Sequence, residues 1–234
     1  MTQTVLGRLA DTSGKLNPVA DWFDPLPLEA LRQQAAGFAT SEPFTSRSGL
    51  FERLAETGSQ ARVAIIACSD LACDLEGVLG ADPGSLFTIR NAGNIVPRFD
   101  ARRVAECGET AAAIDVALAQ LPIEHLIVCG HSGCATLGAM LDPDCQGSYR
   151  EQFRSTADAL SRTTTDAAER AAWAAQHHVL VQLHHLSTHP AVARGLAERR
   201  LQLHGWYFDT AAGELFTARS LAFTDDVCAQ FEPL

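Results

Sequence analysis

Three short apolar runs, separated by turns or by a helical stretch, constrain the fold of this chain more than any other feature. The first run, residues 62–67 (RVAIIA), is too short for a helix, and similar runs follow at 86–89 and 125–129. A helical pattern over residues 109–121 precedes the third run. Because strands that alternate with helices and longer connections usually pair in parallel, the sequence predicts an α/β fold with a parallel sheet.

Two further patterns lie in the second half of the chain. Asp166 begins a capping box, with a glutamate three residues later, at the start of a long helix that ends before Pro190. After this helix, residues 201–208 and 214–217 flank an Ala-Ala-Gly turn and predict a hairpin.

The N-terminal segment has a different character. Prolines break residues 1–49 into short pieces, which predicts a helical arm rather than a part of the sheet. One helix is expected to begin after Pro27 and to end at Gly37. Residues 50–234 then form the main α/β domain.

Charge and cysteine content limit the possible partners and the compartment. The chain has 234 residues, with 18 Lys+Arg against 28 Asp+Glu and a net charge of -10, which disfavours nucleic acid and anionic membranes as partners. Seven cysteines in no regular framework indicate a reducing compartment, where thiols fill the core or bind metal. The N-terminus has no apolar run typical of a signal peptide, so we expect a cytoplasmic protein.

Candidate metal ligands follow two of the predicted strands. Cys68 and Asp70 come at the end of the first run, and His131 and Cys134 follow the third. Because the carboxyl ends of parallel strands meet at one edge, these segments are expected to face one crevice. Two thiolates and one imidazole suit zinc, with a fourth position for water or for Asp70. The alternative is that the cysteines and the histidine only fill the core.

Several longer motifs resemble one known family, the β-class carbonic anhydrases. The resemblance extends from about residue 50 to residue 217. It rests on ACSD at 67–70, DPGSLFTIRNAGNIVP at 82–97, CGHSGC at 129–134, VLVQL at 179–183, and THPAVARGL with LHGWYFD within 188–209.

The resemblance implies a zinc ion bound by Cys68, His131 and Cys134, and a zinc lyase that interconverts carbon dioxide and bicarbonate through a zinc-bound hydroxide. It implies a mixed sheet of four parallel strands and a C-terminal antiparallel strand, flanked by helices. It also implies a homodimer, or a higher even oligomer, in which N-terminal helices are exchanged. Phe87 and Val96 are candidates for an apolar wall beside the substrate, with core packing as the alternative for each.

Two positions depart from the family pattern. The family motif C-x-D-x-R has an arginine that pairs with the aspartate and keeps it off the metal, whereas this chain has Ala72 there. Without that arginine, Asp70 is free to take the fourth zinc position instead of assisting proton movement at the zinc water. Upstream, Gln60 is a candidate substrate contact, one position away from its usual place in the family.

These departures leave three functions open. The first is carbon dioxide hydration, in which another arginine replaces the missing partner of Asp70. The candidates for that arginine are Arg90, Arg98, Arg102 and Arg103. The second is a catalytically weak or silent relative in which Asp70 closes the zinc site. The third is hydrolysis of carbonyl sulfide or carbon disulfide by the same zinc chemistry.

Overall fold

A computed structural model of the chain describes residues 28–102, 108–142, 150–160, 167–222 and 227–234. The chain divides into two compact units, Met1–Glu52 and Arg53–Leu234. Much of the predicted arm, residues 1–27, lies outside the described residues, as do Asp166 and Arg103. No helix within the described ranges has the length and apolar character needed to span a membrane.

Six strands and nine α-helices are present in the described part of the chain. The strands are β1 (Val63–Cys68), β2 (Leu86–Asn91), β3 (His125–His131), β4 (Gln202–Asp209), β5 (Glu214–Ala218) and β6 (Phe231–Pro233). The α-helices are α1 (Leu28–Gly37), α2 (Glu42–Thr45), α3 (Ser48–Thr57), α4 (Leu75–Leu79), α5 (Gly108–Gln120), α6 (Ala135–Leu141), α7 (Arg150–Leu160), α8 (Ala167–Ser187) and α9 (Pro190–Ala197).

The strands form one mixed sheet in the order β2-β1-β3-β4-β5-β6. The first four strands in this order pair in parallel, and β5 is antiparallel to β4. The predicted sheet of four parallel strands and an antiparallel C-terminal strand is confirmed. A short antiparallel strand, β6, adds to it at the C-terminus.

Strands β1 and β3 are buried on both faces, which explains why their sequences are mostly apolar. In β1, Ala64 and Ile66 pack in the larger core cluster, while Ile65 and Ala67 pack in the smaller one. Side chains alternate between the two faces of a strand, so a strand covered on both sides lacks an alternating polar pattern.

Helix α8 lies against β3 and β4, where two glycines allow a close approach. A Cβ atom at Gly130 would lie 2.8 Å from Val179 Cγ2, and one at Gly205 would lie 2.8 Å from Leu183 Cδ1. The sheet surface under α8 is therefore flat at these two positions, and the helix packs directly on the backbone of the strands.

Two buried histidines lie side by side in the middle of α8. The imidazole of His177 stacks on Trp173, and that of His178 stacks on Phe153. Burial lowers the pKa of each histidine to about 4. Both side chains are therefore neutral near pH 7, because burial disfavours the charged form.

We expect His178 to make the protein less stable in mild acid. The histidine binds a proton near pH 6.5 in the unfolded chain but only near pH 4 in the folded protein. The free energy of unfolding therefore falls as the pH decreases through this window. In metal-free protein, His178→Gln should reduce this loss by roughly 3 kcal/mol, as measured by urea unfolding at several pH values. Equal pH dependence in both proteins would contradict a neutral buried imidazole at this position.

Candidate metal centre

The parallel pairing of β1 with β3 brings four potential metal ligands together. Cys68 is the last residue of β1 and His131 is the last residue of β3, and the register pairs Ala67 with Cys129. Gly133, at φ +67°, then turns the chain so that Cys134 becomes the N-cap of α6.

One ligand atom from each of Cys68, Asp70, His131 and Cys134 lies within 4.8 Å of all the others. Their sulfur, nitrogen and oxygen donors are those that zinc takes in proteins. The two sulfurs are 3.7 Å apart, close to the separation of about 3.8 Å between two thiolates on a tetrahedral zinc ion. The residues present therefore fit a zinc ion.

The orientation of His131 directs its Nε2 atom to the other ligands. Nδ1 lies 3.0 Å from the carbonyl oxygen of Ser132. A carbonyl only accepts hydrogen bonds, so Nδ1 carries a proton. Nε2 faces Oδ1 of Asp70 at 2.7 Å, within the same cluster as the two sulfurs. This is the arrangement by which a metal-binding histidine is held through its second nitrogen.

Asp70 lies at the centre of the ligand set. Its Oδ1 atom is 2.7 Å from Cys68 Sγ, 2.7 Å from His131 Nε2 and 3.6 Å from Cys134 Sγ. The two shorter distances are less than the separation of about 3.3 Å expected between ligands on one zinc ion. Oδ1 therefore lies nearer to Cys68 and His131 than two ligands of one zinc ion lie to each other.

The second carboxylate oxygen of Asp70 is held by the start of α6. Oδ2 accepts a hydrogen bond of 3.0 Å from the backbone N–H of Thr136 and lies 3.4 Å from Oγ1 of the same residue. The sequence analysis missed this contact. The first N–H groups of a helix have no partner within the helix, so a helix predicted to begin after Cys134 would have indicated a donor at this position.

Backbone N–H groups also reach both cysteines. Gly93 N–H donates to Cys68 Sγ at 3.1 Å, and Leu137 N–H donates to Cys134 Sγ at 3.3 Å. Each contact stabilises negative charge on a sulfur atom. Gly93 lies in the RNAGN segment, which the sequence analysis did not connect with the metal ligands.

These contacts change the acidity of the ligands. Burial opposes ionisation of Asp70, but its contacts with Cys68, the Thr136 N–H and His131 outweigh this effect and lower its pKa to about 2. Hydrogen bonding with Cys134 lowers the pKa of Cys68 to about 5, although burial acts in the opposite direction. The same contact, together with burial, raises the pKa of Cys134.

The described arginines do not replace the partner that Asp70 lacks. Arg90 donates instead to the carbonyl oxygens of Leu71 and Cys73, at 2.9 and 2.7 Å, on either side of Ala72. Arg98 and Arg102 are exposed, and neither forms an ion pair with Asp70 within the described residues. Asp70 is instead held by Thr136 and by the other members of the cluster.

The structure places the three candidate substrate contacts in different surroundings. Phe87 pairs with Ala64 in the sheet, four residues before Cys68, or about 13 Å along the strand. Val96 is fully buried in the core. Gln60 is exposed and donates to the carbonyl oxygen of Thr57. Contact of these three side chains with substrate stays a prediction.

Comparison with known proteins identifies relatives of this chain. A family model described as carbonic anhydrase matches residues 63–215. The carbonic anhydrase of Pseudomonas aeruginosa is 37% identical over 185 residues, which cover 74% of this chain and 80% of that protein. Carbonic anhydrase 1 of Escherichia coli O157:H7 is 36% identical over 200 residues, covering 82% of this chain and 86% of that protein.

Solved structures share the fold. The β-carbonic anhydrase CcaA matches with a TM-score of 0.73 and 30% identity, covering 88% of this chain and 90% of that one. A tetrameric β-carbonic anhydrase from Sordaria macrospora matches with a TM-score of 0.64 and 29% identity, covering 81% and 93%. Sequence and fold agree, and the chain belongs to the β-class carbonic anhydrase family of enzymes.

Proposed function

We propose that this protein catalyses the reversible hydration of carbon dioxide to bicarbonate at a zinc ion held by Cys68, His131 and Cys134. The main support is the convergence of these donors with Asp70, all within 4.8 Å, at the carboxyl edge of the sheet. A bound zinc ion would supply a water acidic enough to act as a nucleophile near neutral pH. Family membership supports carbon dioxide as the substrate.

The protein contributes orientation and proton handling. Nδ1 of His131 is fixed by the Ser132 carbonyl, which keeps Nε2 directed to the cluster. Asp70 is ionised near neutral pH, since its pKa is lowered to about 2 despite partial burial. Held at Oδ2 by Thr136, this carboxylate is placed to accept a hydrogen bond or a proton at Oδ1.

The position of Asp70 also supports a second candidate, a weakly active or silent relative. Oδ1 is close enough to Cys68 and His131 to serve as the fourth ligand, and Ala72 provides no group to draw it away. A zinc site closed by four protein ligands is typical of a structural role. Hydration assays and the variants below distinguish the two candidates.

We expect the zinc-loaded protein to bind one metal ion per chain and to hydrate carbon dioxide faster than buffer between neutral and alkaline pH. Cys134→Ser should abolish both properties, because it removes a thiolate ligand. Cys73→Ser, at a half-buried cysteine outside the cluster, is the matched control and should keep both. Metal analysis and stopped-flow hydration measure the two properties.

The absence of any rate above buffer in this pH range would contradict catalysis and favour the closed, silent site. Sulfide release from carbonyl sulfide or carbon disulfide, without carbon dioxide hydration, would instead favour the hydrolase alternative. Loss of zinc from Cys73→Ser as well would show that the ligand assignment is wrong.

Restoring the family arginine should open the site. Residue 72 is exposed, so a long side chain is accommodated there. A charge-assisted hydrogen bond from arginine to Asp70 contributes about 1.5–3 kcal/mol, so we expect Ala72→Arg to raise the hydration rate at neutral pH about tenfold or more. Stopped-flow hydration compares the variant with wild type.

Ala72→Gln is the control, because it adds length without charge and should leave the rate near that of wild type. A wild-type enzyme already as fast as Ala72→Arg would show that Asp70 does not need this partner. In that case the closed-site candidate would be rejected.

We also propose that the chain assembles as a dimer or a higher even oligomer through its N-terminal arm. Helix α1 has no buried residue, and its Leu28 and Leu31 are 72% and 47% exposed. A contact between subunits through this helix would cover both leucines. The tetrameric relatives from Sordaria macrospora support an oligomer. The free thiols required by the site favour the reducing cytoplasm.

We expect sedimentation equilibrium of the full chain to give twice or four times the mass of the monomer. Leu28→Glu combined with Leu31→Glu should weaken this assembly, because it places charges in the contact. Val116→Glu, at an apolar side chain that is 54% exposed on α5, is the control. A wild-type monomer, or a double variant that assembles as tightly as wild type, would contradict the role of the arm.

A further inference from the structure

One buried group outside the ligand set touches the backbone that supports the metal site. His178 is 1% exposed in the middle of α8. Its Nε2 atom lies 3.0 Å from the carbonyl oxygen of Gly93. Gly93 is the residue whose N–H donates to Cys68 Sγ. A single residue therefore separates the histidine from a ligand sulfur.

The conformation of Gly93 makes this connection rigid. Its backbone is in the left-handed region, at φ +73°, and a Cβ there would lie 2.6 Å from Phe153 Cζ. Only glycine fits this conformation and this spacing. The N–H of Gly93 points to Cys68 and its carbonyl to His178, so a displacement on one side moves the other.

Hydrogen bonds fix the imidazole of His178 in one state. A carbonyl acceptor requires the proton on Nε2, which leaves Nδ1 to accept a hydrogen bond of 3.1 Å from Thr156 Oγ1. The ring stacks on Phe153, with centroids 4.8 Å apart and planes inclined by 5°. Thr156 and Phe153 on α7 thus hold the ring so that its Nε2–H faces the carbonyl of Gly93.

Helix α8 also holds the backbone that follows Gly93. Gln182, one turn after His178 and fully buried, accepts a hydrogen bond of 2.8 Å from the N–H of Val96. The segment between Gly93 and Val96 is thereby attached to α8 at two points. This attachment explains why the segment keeps its position beside Cys68.

We propose that His178 is a positioning residue for the metal site, which holds the Gly93 N–H on the sulfur of Cys68 through the Gly93 carbonyl. The inference rests on the proposed function, in that it takes Cys68 as a metal ligand. Loss of a hydrogen bond to a metal-ligating residue typically lowers metal affinity by about 10- to 100-fold, and His178 holds the group that donates this bond to Cys68. A hydrogen bond to a thiolate also withdraws charge from the sulfur and alters its bond to the metal.

The test compares His178→Leu, which lacks the donor, with His178→Gln, which keeps an N–H donor. We expect His178→Leu to bind zinc about 10- to 100-fold more weakly and to shift the thiolate-to-metal charge-transfer bands of the cobalt-substituted protein. In metal-free protein, the amide proton of Gly93 should exchange faster. His178→Gln should resemble wild type in all three measurements.

His189→Leu is the matched control. His189 is 2% exposed and donates through Nε2 to the carbonyl oxygen of Pro97, four residues after Gly93. It should lose comparable packing without a change in the cobalt bands or in the exchange of Gly93. Should His178→Leu not fold, Thr156→Val is the second variant. It removes the shorter of the two hydrogen bonds to Nδ1 and keeps the longer one from Gln182 Nε2 at 3.4 Å, so the same shifts are expected but smaller.

Unchanged cobalt bands and unchanged Gly93 exchange in His178→Leu, or in Thr156→Val where that variant replaces it, would overturn the inference. An equal change in His189→Leu would overturn it as well, because the effect would then be general loss of packing. A wild-type protein without thiolate-to-cobalt bands would instead contradict the proposed function. The exchange of Gly93 in metal-free protein would still test the contact with His178.

Discussion

The parallel pairing of β1 with β3 is the constraint on which the site depends. It brings the carboxyl ends of two strands that are distant in sequence to one edge of the sheet, so that Cys68 and His131 meet. Asp70 and Cys134 lie two and three residues further along these segments. The two strands are buried on both faces, and the apolar packing of the whole sheet therefore fixes the register that sets the distances between ligands.

The sequence was sufficient for the parallel part of the sheet and for four side chains that meet at its edge, because both leave a strong signal in side chains. Short β-branched runs indicate buried strands, and two thiols with an imidazole at strand ends indicate a metal site. It was not sufficient for the contacts of Thr136 and Gly93, because these are made by backbone N–H groups, which nearly every residue has. Only the folded chain shows which of those groups face a ligand.

The surroundings of Asp70 show how one missing side chain changes a site. Ala72 leaves the carboxylate without the arginine typical of the family, and the described structure holds it through Thr136 at one oxygen and through the ligand set at the other. Arg90, the nearby candidate for replacement, is engaged by the carbonyls on either side of residue 72. The orientation of Asp70 therefore depends on the start of α6 rather than on a charged partner in its own loop.

The sulfur atom of Cys134 makes two kinds of contact. As the N-cap of α6 it accepts the Leu137 N–H, and as a member of the ligand cluster it faces Cys68. The first turn of α6 also supplies the N–H that holds Asp70. Fraying at the start of this short helix would therefore release Asp70 and Cys134, two of the four candidate ligands, at the same time.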